Sequence, residues 1–188
     1  MTTNTPSPSR SKLLIAALVA VIAVVVVVVA LMGSSSSSTS AAQYVAKGVA
    51  VQRHGEYRKA TIFYADAIRK NSHDAIAYCD LGTAEQRLNH PGLASIHYKL
   101  ALRYDPKFSR AWYNLGTILK NINYKKAEGD FRKAIAINPG FAIAHLNLGL
   151  TMVKHGDRVS GINQINLALT ENSKLISSVP ASLRSSVH

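Results

Sequence analysis

The chain has 188 residues, with 22 Lys and Arg against 10 Asp and Glu for a formal charge of +12, 47% hydrophobic residues and one cysteine. This length suits one domain with an appendage and excludes two large domains. The single cysteine, Cys79, excludes an internal disulfide framework, a CxxC redox pair and a cysteine-rich zinc cluster, and the positive excess points to anionic partners or surfaces.

Residues 1–12 form a short tail that carries Arg10 and Lys12. From Leu13 to Met32 the chain runs through 20 apolar residues without a break. At about 1.5 Å of rise per residue, a helix of this length spans about 30 Å, the thickness of a bilayer's hydrocarbon core. The valines from Val24 to Val29 form helix poorly in water, but in lipid a backbone must satisfy its own hydrogen bonds and the helix does so. The expectation is one transmembrane helix. A cleaved signal peptide, leaving a secreted chain, is the competing reading, although the run exceeds an ordinary signal h-region and no A-x-A site adjoins it. The next basic residue after Lys12 is Lys47, so the positive-inside rule places the N-terminus in the cytoplasm and the remainder outside it. Residues 33–40, GSSSSSTS, read as a flexible linker.

From Ala41 onward the sequence repeats itself at a period near 34, in units 41–74, 75–108, 109–141 and 142–175. The clearest unit reads Trp112-x2-Leu115-Gly116-x2-Leu119, then Ala127-x3-Phe131-x2-Ala134, then Pro139. The unit before it has Tyr78, Leu81, Gly82, Ala94, Tyr98, Ala101 and Pro106, with Glu85 in place of an apolar residue. The first has Tyr44, Gly48, Val51, Ala60, Tyr64 and Ala67, and the last has Leu148, Gly149, Met152, Gly161, Ile165 and Ala168, with His145 in place of the aromatic. Each unit carries two apolar stripes at helical spacing separated by a turn, a helical hairpin that cannot bury its stripe alone. Asp105-Pro106 and Asn138-Pro139 mark the ends of second helices, and the glycines of His54-Gly55 and His155-Gly156 mark helix C-caps. The third unit is one residue short, in the turn around Asn121 to Tyr124.

This pattern resembles the tetratricopeptide repeat. The resemblance covers nearly everything outside the expected anchor and tail, and implies an all-α fold: a right-handed solenoid of about four hairpins whose first helices line a concave face. On that face the repeat phasing predicts one row of Ala46, Asp80, Asn114 and Asn147, and a second row of Arg53, Arg87, Lys120 and Lys154. Asparagine offers the donor and acceptor needed to hold an extended peptide, and a basic row would attract carboxylates. These expectations make Asn114, Asn147, Arg53, Arg87, Lys120 and Lys154 the candidate partner-binding residues. A two-carboxylate clamp of the chaperone type is not expected, since Val45, Val49 and Asp80 stand where its lysine and asparagines would be.

The 41–175 segment holds 19 of the basic residues and all 10 acidic ones, net +9. Pairs such as Arg58-Lys59, Arg69-Lys70, Lys125-Lys126 and Arg132-Lys133 read as solvated helix faces or, alternatively, as a surface for anionic lipid or envelope polymer. Nucleic acid is a weaker partner, with no recognition motif present. No HExxH, GxSxG, phosphate loop or carboxylate pair appears, so no enzyme activity, metal or cofactor is expected. Cys79 reads as a packed residue and the histidines at 54 and 155 as repeated helix ends. Residues 176–188 show no amphipathic period and read as an irregular tail that leaves the last hairpin's apolar flank for self-association or a partner. The resemblance to membrane-anchored repeat proteins of bacterial envelopes implies an adaptor or assembly factor that binds a protein or peptide with acidic segments.

Overall fold

The structure, a computed structural model, describes residues 39–187. The tail at 1–12, the apolar run at 13–32 and most of the Ser-rich linker lie outside the described residues. Among the described residues no helix is long and apolar enough to cross a membrane.

Eight helices of the described residues pair as four hairpins: α1 (Ala41–Arg53) with α2 (Tyr57–Lys70), α3 (Ala75–Arg87) with α4 (Pro91–Tyr104), α5 (Ser109–Leu119) with α6 (Tyr124–Ile137), and α7 (Ala142–Lys154) with α8 (Arg158–Glu171). The linker's last serine, Ser40, starts α1 through a capping box: its hydroxyl accepts from the Gln43 amide at 3.2 Å while the Gln43 side chain accepts from the Ser40 amide at 2.8 Å. Asp74, Asn123 and Asp157 cap α3, α6 and α8 in the simpler one-way form.

Within each hairpin the approach of the two helices is set by a glycine. A Cβ on Gly48 would come within 2.5 Å of the Tyr64 ring, one on Gly82 within 2.7 Å of Tyr98, and one on Gly116 within 2.6 Å of Phe131. Those three rings are fully buried, each contributing about 1.5–3 kcal/mol by leaving water. In the fourth hairpin Ile165 replaces the ring and the helices meet backbone to backbone, with Gly161 O only 2.5 Å from where a Gly149 Cβ would stand.

The turns inside hairpins one, two and four share one geometry. Gly55, Asn89 and Gly156 have φ of 77°, 64° and 100°. The following residue's N–H bonds five residues back, as in Glu56 to Val51 O, His90 to Glu85 O and Asp157 to Met152 O, which is the Schellman arrangement. The third hairpin lacks this left-handed residue. There α5 stops at Leu119, Lys120 stays helical as its C-cap, and the Asn123 N–H bonds only four residues back to Leu119 O. The missing residue of the 33-residue unit is therefore the left-handed one.

The core runs between hairpins. Tyr64 of α2 packs with Leu81 and Ala84 of α3, Tyr98 of α4 with Ala111 and Leu115 of α5, and Phe131 of α6 with Leu148 and Met152 of α7. The second helices α2, α4 and α6 are each covered by the first helix of the next unit, so stability is shared along the stack. Neighbouring first helices also touch directly, α1 with α3 and α3 with α5. The stack is thus tightest along its first-helix side, which makes that side the concave one.

The C-terminal segment corrects the expectation of an irregular tail. Residues Ser173–Ser178 form a 3-10 helix and Ala181–Arg184 a short helix, α9. Val179, Leu183 and Val187 are buried at 1%, 5% and 8% exposure against Leu146, Ile165 and Ala168. Every fourth residue is apolar (179, 183, 187), a stripe too short and too interrupted by serine and Pro180 to stand out as a helix. Arg184 fastens it by donating from Nε to Val179 O at 2.9 Å and from its terminal nitrogen to Ser177 O at 3.2 Å. The chain thus covers part of its own last hairpin, while Leu167 and Ile176 stay exposed.

Candidate protein-interaction face

Helical spacing gives each first helix a stripe at i, i+4, i+7 and i+11 toward the concave side: residues 42, 46, 49 and 53 on α1, with counterparts on α3, α5 and α7. The most N-terminal of these positions supplies a residue that sequence reasoning missed. Arg110 of α5 reaches back to Asp80 of α3, 2.8 Å from guanidinium to carboxylate, and Asp80 is only 6% exposed. Burial pushes the Asp80 carboxyl above its usual range, and Arg110 opposes that shift. Asp80 was expected to face a partner; it is instead half of an ion pair between hairpins. The sequence signal was the spacing of Arg110 one turn before Asn114, in the same stripe.

Asn114 also reaches backward. Its Nδ2 donates to Thr83 Oγ1 at 3.5 Å and points to Cys79 Sγ at 3.8 Å, both on α3. Asn147 donates from Nδ2 to the Tyr113 hydroxyl at 3.3 Å and to Ile143 O at 3.0 Å, and its Oδ1 accepts from Lys120 Nζ at 3.3 Å. Lys154 donates to Asn121 Oδ1 at 3.1 Å. The predicted asparagines are thus half-buried ties between successive hairpins, which fix their amide orientation for anything docking above them.

Lys120 does not share the row of Arg53 and Arg87. With α5 two residues shorter than α3, the position in register is Asn121, and Lys120 sits at the helix end, half-buried. Arg53, Arg87 and Lys154 are exposed.

Two hollows result. One of about 400 Å³ gathers Arg87 and Asn114 with Gln86, Tyr113 and Thr117. A smaller one of about 150 Å³ gathers Lys120, Asn147 and Lys154 with Leu150 and Thr151. Arg53 lines neither. Gln86 belongs to both face and core: its Oε1 accepts from the buried Tyr98 hydroxyl at 2.9 Å while its Nε2 donates to Thr117 Oγ1 at 3.4 Å. Chemically the face offers hydroxyls, amides and fixed positive charge, suited to carboxylates and peptide backbone. Cys79 is fully buried and burial pushes its thiol up to about 11, far from a nucleophile's range. Among the described residues no group of three His, Cys, Asp or Glu side chains could hold a metal ion.

The tetratricopeptide repeat family model matches residues 109–141, the third hairpin. No curated protein sequence matches the chain. Among solved structures, a crystal structure of MamA is similar at 22% identity and a TM-score of 0.65, the match covering 75% of this chain and 83% of that one. Pseudomonas aeruginosa PilF is similar at 22% identity and 0.68, covering 73% of this chain and 63% of that one. MamA from Desulfovibrio magneticus RS-1 is similar at 17% identity and 0.62, covering 73% and 78%. The chain therefore shares the hairpin-stack fold of these proteins, and its third hairpin carries the tetratricopeptide pattern.

Proposed function

We propose that this chain is a membrane-tethered scaffold that binds acidic segments of partner proteins along its first-helix face. The membrane tether is the apolar run from Leu13 to Met32, with the N-terminus cytoplasmic and the hairpins on the other side. The observation that carries the binding reading is the presence of two hollows on the first-helix face, one gathering Arg87 with Asn114 and the other Lys120 and Lys154 with Asn147, each pairing a cation with an oriented amide. An extended peptide advancing about 3.3 Å per residue passes from one hairpin's hollow to the next within a few residues. The third-hairpin match to the tetratricopeptide family supports the same reading.

Binding of anionic lipid or polymer through general surface charge is less well supported. Lys59, Arg69 and Arg132, one from each of three basic pairs, are matched by Glu56, Asp66 and Glu128 of their own helices. The test is photocrosslinking in membranes with a reactive residue at Asn121, which lines the smaller hollow. Capture of a protein with an acidic segment, lost on changing Arg87 and Lys154 to alanine, is the expected result. Capture unaffected by those changes, or adducts confined to lipid, would overturn the proposal.

A further inference from the structure

A separate hollow of about 450 Å³ opens between α4 and α6, the second helices of neighbouring hairpins, with α5 behind it. That volume is in the range of ligand-binding pockets. Its apolar lining includes Leu102 and Leu115, 8% and 5% exposed, and the indole of Trp112. Lys99 and Arg103 of α4 and Lys126 and Lys133 of α6 ring it, and among the described residues none of the four makes an ion pair. Lys133 Nζ stands 3.9 Å from the Trp112 ring centre.

The informative residue is Asp130. It lines this hollow, is 4% exposed, and its Oδ2 has no hydrogen-bond partner among the described residues. A buried acceptor left without a donor costs about 1–3 kcal/mol. An apolar wall with one unused acceptor calls for a group with an apolar body and a single donor at its tip, which among side chains describes tyrosine and tryptophan. The cations call for carboxylates around that group. Lys126 and Lys133 are seven residues apart on one helix, or about 10 Å, a span that one phosphate or carboxylate cannot bridge and that three residues of extended peptide cover.

We propose that this hollow is a second docking site, which takes a tyrosine side chain from an acidic partner segment. The ring lies against Leu102, Leu115 and Trp112, the phenolic O–H donates to Asp130 Oδ2, and flanking carboxylates meet Lys99, Arg103, Lys126 and Lys133. The site is independent of the first-helix face.

Trp112 is the chain's one tryptophan, so its emission reports on this hollow alone. The full chain in zwitterionic-lipid nanodiscs is titrated with a pentapeptide of one tyrosine flanked by two glutamates on each side, and with the phenylalanine version. The expected result is a saturable change in emission, with the phenylalanine peptide about tenfold weaker. Asp130→Ala should make the two peptides bind alike, the signature of a lost pairwise contact rather than of disturbed folding. Lys99→Glu with Lys126→Glu, at exposed or rim positions, should abolish binding, and Asn114→Ala with Asn147→Ala should leave it unchanged. Equal affinity of the two peptides for the unaltered protein, equal affinity of tyrosine amide lacking the acidic flanks, or no change in emission would each overturn the proposal.

Discussion

The third and fourth hairpins place the same backbone around different chemistry. In the third, Trp112 has one N–H and gives it to Pro106 O at 3.0 Å, tying the hairpin to the loop before it. Asp130, across on the second helix, gets nothing from the indole. In the fourth, the equivalent of Trp112 is His145, which has two ring nitrogens. Nε2 contacts Pro139 O at 2.9 Å, as the indole does, and Nδ1 contacts Gln164 Oε1, the side chain equivalent to Asp130, at 2.8 Å. The fourth hairpin closes its polar pair; the third leaves an acceptor open, and a hollow of about 450 Å³ beside it. A repeat position is structural where its polar atoms satisfy one another and available for binding where they do not.

The two hairpins also differ in what a glycine faces, and this gives the largest expected effect. A methyl on Gly149 would strike Gly161 O, which is backbone, whereas a methyl on Gly116 would strike the Phe131 ring, which can tilt. Gly149→Ala should destabilise by about 3 kcal/mol and Gly116→Ala by about 1–2 kcal/mol, read by urea unfolding. Equal effects would mean that the two helix pairs are equally compliant. The turns give the next contrast. Gly156→Ala places a side chain at φ 100° and should cost about 1–2 kcal/mol. The third hairpin has no left-handed residue among the described positions, so alanine at Asn121 should change its melting temperature by much less.

These contrasts explain what was legible in the sequence and what was not. Glycine at 48, 82, 116 and 149 and the ring or branched residue fifteen or sixteen positions later announce the hairpins because close packing admits few alternatives. The helix stops were visible too, but the prolines drew attention to only half of them. Asn71, Asp105, Asn138 and Asn172 end the four second helices with extended backbone. Asn71, Asp105 and Asn172 accept from the amide two residues on, a turn that asparagine and aspartate make without proline. The face was less legible because its residues answer to neighbours in the next hairpin. Asp80 looks free until Arg110 is known to reach it, and His145 looks like a lost aromatic until its nitrogen takes the indole's role. Lys120 entered the basic row only because the deleted residue shifted the register by one.

Asp130 offers the smallest and most specific way to sharpen the comparison. Its carboxyl is raised above the usual aspartate range, first by burial, with Lys133, Lys126 and Lys99 opposing. In the native state the proton is therefore held more tightly than in the unfolded chain. The resulting stability is fully present below the ordinary aspartate pKa and is lost as pH rises through the raised value. At neutral pH the carboxylate is a net burden on the third hairpin, one that the lysines only partly relieve. Asp130→Asn removes the charge and keeps the shape. Its melting temperature should exceed the parent's at neutral pH, and the gap should close as pH falls toward the ordinary aspartate range. Gln164→Glu, which puts a carboxylate beside His145 instead, should behave differently, because there the new charge faces an imidazole nitrogen at hydrogen-bond distance rather than an acceptor left without a partner. If Asp130→Asn is no more stable than the parent at neutral pH, the lysines already compensate the buried carboxylate, and the third hairpin is as fully satisfied as the fourth.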